Sequence, residues 1–170
     1  MNALLDAYPA EVQAILKNYP TAQKRSAVMP LLYLAQARQG YVTKQAMADI
    51  AEIAEIEMTE VASIVGFYTL FHDEPGGRYR LQVCTDLPCA MRGAEEFLSK
   101  LCANLGVKVG ETSADGLFTI EEVTCLAGCH RAPLLQVQGE GQIVYHENMT
   151  EEKARALVDQ LRGAGKEQAK

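Results

Sequence analysis

The chain has 170 residues, a formal net charge of −6 and 48% hydrophobic residues. That composition is enough for one packed domain with a helical extension, and an acidic chain without a basic stretch gives no footing for nucleic-acid binding. No apolar run approaches the ~20 residues that cross a bilayer. The opening Met1-Asn2-Ala3-Leu4-Leu5-Asp6 has no basic region followed by a long apolar stretch, so a signal peptide is not expected. The expectation is a cytoplasmic protein with reduced thiols and no direct membrane insertion, in which paired cysteines point to metal or redox chemistry.

The first 75 residues read as helical. Pro9 suits the first position of a helix running to about Asn18, since its missing N–H is not needed there. A second segment runs from about Ser26 to Gln39 and stops at Gly40, with Pro30 in its first turn or kinking it. Thr43 is a plausible N-cap for a third, which carries Met47, Ile50, Ala51 and Ala54. A fourth starts after Thr59. Its Val61, Ile64, Val65 and Tyr68 are spaced as one apolar helix face, which reads as core.

Asp73-Glu74-Pro75-Gly76-Gly77 is turn chemistry and marks a boundary. Beyond it the period changes. Tyr79 to Cys84 alternates with period two and predicts a strand. A helix follows from about Ala90 to Leu105, then a strand from Phe118 to Val123. Leu134–Gln138 and Ile143–Tyr145 read as a hairpin around Gly139-Glu140-Gly141. Thr150 caps a last helix to about Leu161, and a frayed tail follows from Gly163. The order strand, helix, strand, strand, strand, helix suits a mixed four-stranded sheet. The fold class is therefore α+β: a helical bundle over residues 1–75, a sheet domain of thioredoxin-like type over 76–165 and a tail over 166–170.

Four of the five cysteines form two tight pairs, Cys84-Thr-Asp-Leu-Pro-Cys89 and Cys125-Leu-Ala-Gly-Cys129. Cys84 ends the first predicted strand and Cys89 precedes the helix, while Cys125 and Cys129 lie in the loop after the second. A fold that joins the pairs at one sheet edge makes a four-thiolate site for zinc or an iron–sulfur cluster. Structural zinc favours C-x2-C spacing, which neither pair has, although C-x4-C occurs. A [2Fe–2S] cluster needs two ligands on each iron, so one pair serves each. The plant-type pattern would need a cysteine at position 92, which is Arg92, and a Rieske centre needs two histidines that the spacing does not supply.

Two ferric ions, two sulfides and four thiolates sum to a formal charge of minus two, and one electron makes it minus three. The N-terminus of the helix after Cys89 is expected to point its positive end at that charge. Arg92, His130 and Arg131 are near in sequence, although each also reads as an ordinary surface residue. Cys102 shares a helix face with Leu98, Leu101 and Leu105 and reads as a core thiol.

These residues resemble a known family. Gly66-Phe67-Tyr68-Thr69-Leu70-Phe71 with Pro75-Gly76, Val83-Cys84 through Cys89, Gly93, Asp115-Gly116-Leu117-Phe118-Thr119, Cys125-Leu126, Cys129 and Ala132-Pro133 look like the E-type subunit of NADH:quinone oxidoreductase. That is the small thioredoxin-like [2Fe–2S] component of respiratory complex I. The resemblance runs from about residue 8 to 162. One departure stands out: the family commonly has Cys-Leu-Gly-small-Cys, where this chain has Leu126-Ala127-Gly128-Cys129.

The resemblance implies one [2Fe–2S] cluster on Cys84, Cys89, Cys125 and Cys129. It implies a flavoprotein partner that binds NADH and FMN and exchanges one electron with the cluster. It also implies a docking role for the N-terminal helices, and a place on the peripheral arm of a membrane-bound complex. The chain would then be an enzyme only as a subunit, since no G-x-G-x-x-G segment opens a helix in it. Equivalent subunits of NAD-linked hydrogenases and formate dehydrogenases, a free-standing ferredoxin shuttle and a structural zinc module are the alternatives. The Ala132–Pro133 bond is left open between cis and trans.

Overall fold

The computed structural model describes residues 2 to 167. The chain divides after Pro75 into two compact units, each with its own buried core.

The first unit is helical: α1 (Ala3–Ala7), α2 (Pro9–Leu16), a 3-10 stretch (Thr21–Ala27), α3 (Val28–Gln39), α4 (Lys44–Ala54) and α5 (Met58–Phe67). Pro9 opens α2 as expected. Gly40 ends α3 with a φ of 80°, a conformation that costs glycine little. Thr43 caps α4, its side chain accepting from the Ala46 N–H at 3.1 Å. Met47, Ile50, Ala51 and Ala54 of α4 and Val61 and Val65 of α5 are buried together with Leu31, Leu32 and Val12.

Three expectations need correction here. The segment placed from Ser26 begins its α-helix at Val28, after a 3-10 stretch. The helix placed after Thr59 starts at Met58, and Tyr68 lies beyond its end in extended backbone, partly exposed rather than in the core. Short α1 has no counterpart among the predicted helices. Its partner is remote in sequence: the Asp49 carboxylate accepts from the Leu4 N–H at 3.1 Å, and Asn2 donates to the Asp49 carbonyl at 2.9 Å.

The second unit contains β1 (Tyr79–Cys84), a short α6 (Leu87–Ala90), α7 (Ala94–Leu105), β2 (Phe118–Val123), a 3-10 turn (Cys129–Arg131), β3 (Leu135–Gly139), β4 (Gln142–His146) and α8 (Glu151–Glu167). The sheet order is β2-β1-β3-β4. β1 runs parallel to β2 and antiparallel to β3, and β3 is antiparallel to β4. This is the mixed four-stranded sheet of the thioredoxin-like type. Tyr79, Leu81 and Val83 of β1 share a core with Phe118, Ile120, Leu135, Val137 and the inner faces of α7 and α8.

β1 alternates in chemistry but not in burial, because it is a central strand and every residue of it is buried. Its polar residues are satisfied instead by partners. Arg80 pairs with Glu121 at 2.5 Å, Gln82 donates to the other Glu121 oxygen at 2.7 Å, and Gln136 donates to Gln82. Buried polar groups are tolerated when bonded in this way.

The single helix expected from Ala90 is broken, since Gly93 adopts a φ of 88° between α6 and α7. The hairpin turn is two residues, Glu140 and Gly141, both at positive φ, so Gly139 belongs to β3. α8 continues to Glu167, past the tail expected from Gly163, while residues 168–170 of that tail lie outside the described residues. Asp115-Gly116-Leu117 is a structural turn. The Asp115 carboxylate accepts from Ser113 at 2.5 Å and from the Leu117 N–H at 3.1 Å.

Candidate metal centre

Parallel pairing of β1 and β2 puts the carboxyl ends of both strands at one sheet edge, with Cys84 opposite Val123. Each cysteine pair begins there. After Cys84, Asp86 caps α6 by accepting from the Leu87 N–H at 2.9 Å. Pro88 occupies the first turn, where no N–H is required. Cys89 therefore sits inside α6 rather than ahead of a long helix, a correction to the sequence expectation. The long helix α7 begins at Ala94, and Ala94 packs in one small buried cluster with Cys84, Cys89, Ala132 and Leu134.

The second pair sits on a loop bent by two left-handed residues, Cys125 at φ 58° and Ala127 at φ 56°. Gly128 has no room for a side chain, because a Cβ there would lie 2.6 Å from Leu134 Cδ1. Cys129 opens the 3-10 turn, closed by the Arg131 N–H donating to Gly128 at 2.8 Å. The chain then re-enters the sheet through a cis Ala132–Pro133 bond, one of the two states that the sequence allows.

The structure brings these residues together unequally. Cys84 and Cys89 are fully buried, Cys129 is half-buried, and Cys125 is exposed. Burial, then the neighbouring sulfurs of Cys84 and Cys129, pushes the Cys89 thiol up to about 12. Burial opposes ionisation of Cys84 as well. There it loses to the N–H groups of Leu126, Asp86 and Cys125 and to the Cys89 thiol, which donate to the sulfur and hold Cys84 below its usual value.

All five cysteines are free thiols. Cys102 lies apart, half-buried against the α7–α8 side of the sheet, and burial followed by the Glu111 charge raises its thiol. This is the core position expected for it. His130 is exposed. Arg131 pairs with Glu147 at 2.5 Å on the surface, and the Arg92 Nε–H donates to the Ala132 carbonyl at 3.3 Å.

Donor chemistry decides what such a site can hold. Thiolates suit soft metals and iron–sulfur clusters, and N–H groups aimed at a ligating sulfur offset the charge that a cluster carries. Among the described residues no group of three or more His, Cys, Asp or Glu is placed to hold a single metal ion. A two-iron cluster asks for only two thiolates on each iron. Two pairs of cysteines are the residue types that a [2Fe–2S] group takes. The N–H donors of Asp86, Cys125 and Leu126 are not legible in the sequence, because their direction depends on the left-handed turn at Cys125 and on the α6 cap.

Residues 12–162 match the family described as thioredoxin-like [2Fe–2S] ferredoxin. The chain is 38% identical over 154 residues to an E-type NADH-quinone oxidoreductase subunit of Rhizobium meliloti, covering 91% of this chain and 88% of the relative. It is 40% identical over 148 residues to NADH-quinone oxidoreductase subunit 2 of Thermus thermophilus, covering 87% and 80%. Among solved structures, an NAD+-reducing [NiFe]-hydrogenase in its air-oxidised state aligns with a TM-score of 0.65 at 19% identity. That alignment covers 79% of this chain and 23% of the hydrogenase chain, and it speaks to the fold alone.

Proposed function

The chain belongs to the thioredoxin-like [2Fe–2S] ferredoxin family, and from that footing we propose that it is the iron–sulfur electron-transfer subunit of the NADH dehydrogenase module of respiratory complex I. The observation that carries the proposal at the level of residues is the pair of cysteine turns at one sheet edge, with backbone N–H groups directed at the buried Cys84 sulfur. Cys84, Cys89, Cys125 and Cys129 would hold one [2Fe–2S] cluster. Such a cluster, when bound, takes up and gives back one electron.

The chain's own residues do the rest. Burial of Cys84 and Cys89 among Ala94, Ala132 and Leu134 keeps water from one side of the site. The exposed Cys125 loop leaves the other side open to a redox partner. In this reading the partner is a flavoprotein carrying FMN and NADH, because the relatives are named as subunits of an NADH-quinone oxidoreductase and the chain has no dinucleotide fingerprint of its own. The helical unit would supply a docking surface of its own. No described helix is long and apolar enough to cross a membrane, and this reading puts the chain on the peripheral arm of the complex. The hydrogenase likeness is too distant in sequence to favour a hydrogenase subunit.

Anaerobic purification with iron, sulfide and zinc analysis tests the cofactor. The expected protein contains two irons and two sulfides per chain and gives a spin-one-half EPR signal on reduction. One zinc per chain, colourless and without sulfide, would return the site to a structural module.

A further inference from the structure

The two cysteine turns are joined by one long side chain. Arg92 lies three residues after Cys89, in the break between α6 and α7. Ala132 lies three residues after Cys129. The Arg92 Nε–H donates to the Ala132 carbonyl oxygen at 3.3 Å. Ala132 is buried in the same small cluster as Cys84 and Cys89, and among the described residues no backbone N–H reaches its carbonyl. A buried carbonyl needs a donor, and Arg92 supplies it from the opposite turn. The charges also differ between the two nearby arginines. Arg131 is neutralised by Glu147, whereas Arg92 has no carboxylate partner among the described residues.

We propose that Arg92 is a positioning residue for the thiolate set: its Nε bond to Ala132 fixes how far the Cys89 turn stands from the Cys129 turn. The proposal rests on the cluster reading above. Cys89 and Cys129 belong to different pairs, and each lies three residues before one end of the Arg92–Ala132 bond. A change in their separation is a change in the space between the two pairs. Arginine suits the task because its planar fork can spend one N–H on a carbonyl and keep its charge and further donors. Lysine keeps the charge without the fork, and glutamine keeps a donor on a shorter stem without the charge.

The test uses the full chain with its cluster. Arg92→Lys and Arg92→Gln are compared with wild type and with Arg131→Gln, which removes the same charge near Cys129 without touching Ala132. Iron release to a chelator, the EPR line shape of the reduced protein and thermal melting of the metal-free form are measured. Both Arg92 variants should release iron about tenfold faster or more, in the range found when groups that orient metal ligands are lost. Their EPR anisotropy should shift, metal-free melting should fall only by the loss of one hydrogen bond to the Ala132 carbonyl, and Arg131→Gln should release iron at the wild-type rate. Release at the wild-type rate with unchanged lines would overturn the proposal. A drop in metal-free melting that matched the faster release would assign Arg92 to general folding instead. Wild-type protein lacking two irons and two sulfides would sink the cluster reading itself, and this inference with it.

Discussion

Cys84 and Cys89 are five residues apart and equally buried, yet their protons are held in opposite ways. Cys89 is pushed up to about 12 by burial and by its sulfur neighbours, so the folded chain holds that proton more tightly than the unfolded one. Its contribution to stability is present below the ordinary thiol value of 9.0 and is lost as the pH rises towards about 12. Cys84 is held below that value, so its contribution is present above 9.0 and is lost as the pH falls through its folded value. Urea midpoints of the metal-free protein should therefore fall on the alkaline side of pH 9.0, and Cys89→Ala should flatten that fall. An alkaline limb identical in the two proteins would refute this account. Replacing any of Cys84, Cys89, Cys125 or Cys129 by alanine should abolish a stable cluster, as iron and sulfide analysis would report. Cys102→Ala should keep the cluster and cost on the order of 1 kcal/mol, since that thiol only packs against the core. Arg131→Gln removes a cation near Cys129 and leaves Glu147 uncompensated, which should lower the reduction potential. Because the pair is exposed, the shift should be small, and Arg131→Gln combined with Glu147→Gln should largely restore the wild-type value in an EPR-monitored titration.

At the scale of elements, the loop carrying the second pair keeps a demanding backbone. Ala127 adopts a φ of 56°. That conformation costs a residue with a Cβ about 1–2 kcal/mol. Ala127→Gly should therefore stabilise the metal-free protein, less the ~0.4–1 kcal/mol by which glycine favours the unfolded chain. A higher melting temperature is the expected outcome, and a lower one would mean that the Ala127 methyl contributes packing worth more than the strain. Gly128 is the reverse case. Its φ of −115° suits any residue, but a Cβ would meet Leu134 Cδ1, and Leu134 is almost wholly buried. Gly128→Ala should cost about 1–3 kcal/mol through overpacking and weaken cluster retention. Calorimetry and chelator challenge read the two effects separately.

At the scale of the molecule, the two units have separate cores, and the cysteine site belongs wholly to the second. Removing residues 1–72 should leave a folded, cluster-bearing domain that associates more weakly with the flavoprotein, since a stable interface takes ~800 Å² per partner and the cysteine rim is small. Full-strength association by the shortened chain would remove the helices from the docking role. The intact chain purified alone should accept an electron from a strong chemical reductant and fail to oxidise NADH, and co-expression with the flavoprotein should restore reduction by NADH. NADH oxidation by the isolated chain would contradict a carrier role.

The sequence by itself determined the strands and the two cysteine spacings. Tyr79–Cys84 and Phe118–Val123 carry their pattern locally, and the cysteine spacings are written in the chain, so both were legible without coordinates. The fold order followed, because a strand–helix–strand unit makes its strands parallel and brings their ends together. What tertiary structure decided are the features that depend on residues far apart. α1 is capped locally by Asn2, whose side chain accepts from the Leu5 N–H, and is held from 45 residues away by Asp49, which accepts from the Leu4 N–H. β1 is buried along its whole length, with β2 and β3 on its two edges and its polar residues bonded to Glu121 and Gln136. The break at Gly93 was readable only in part, since glycine permits a left-handed turn without requiring one. The unequal burial of the four cysteines, and the N–H groups that separate Cys84 from Cys89, came from the folded loop. Local patterns specify elements, whereas proton affinity is set by whatever the completed packing places within a few ångströms.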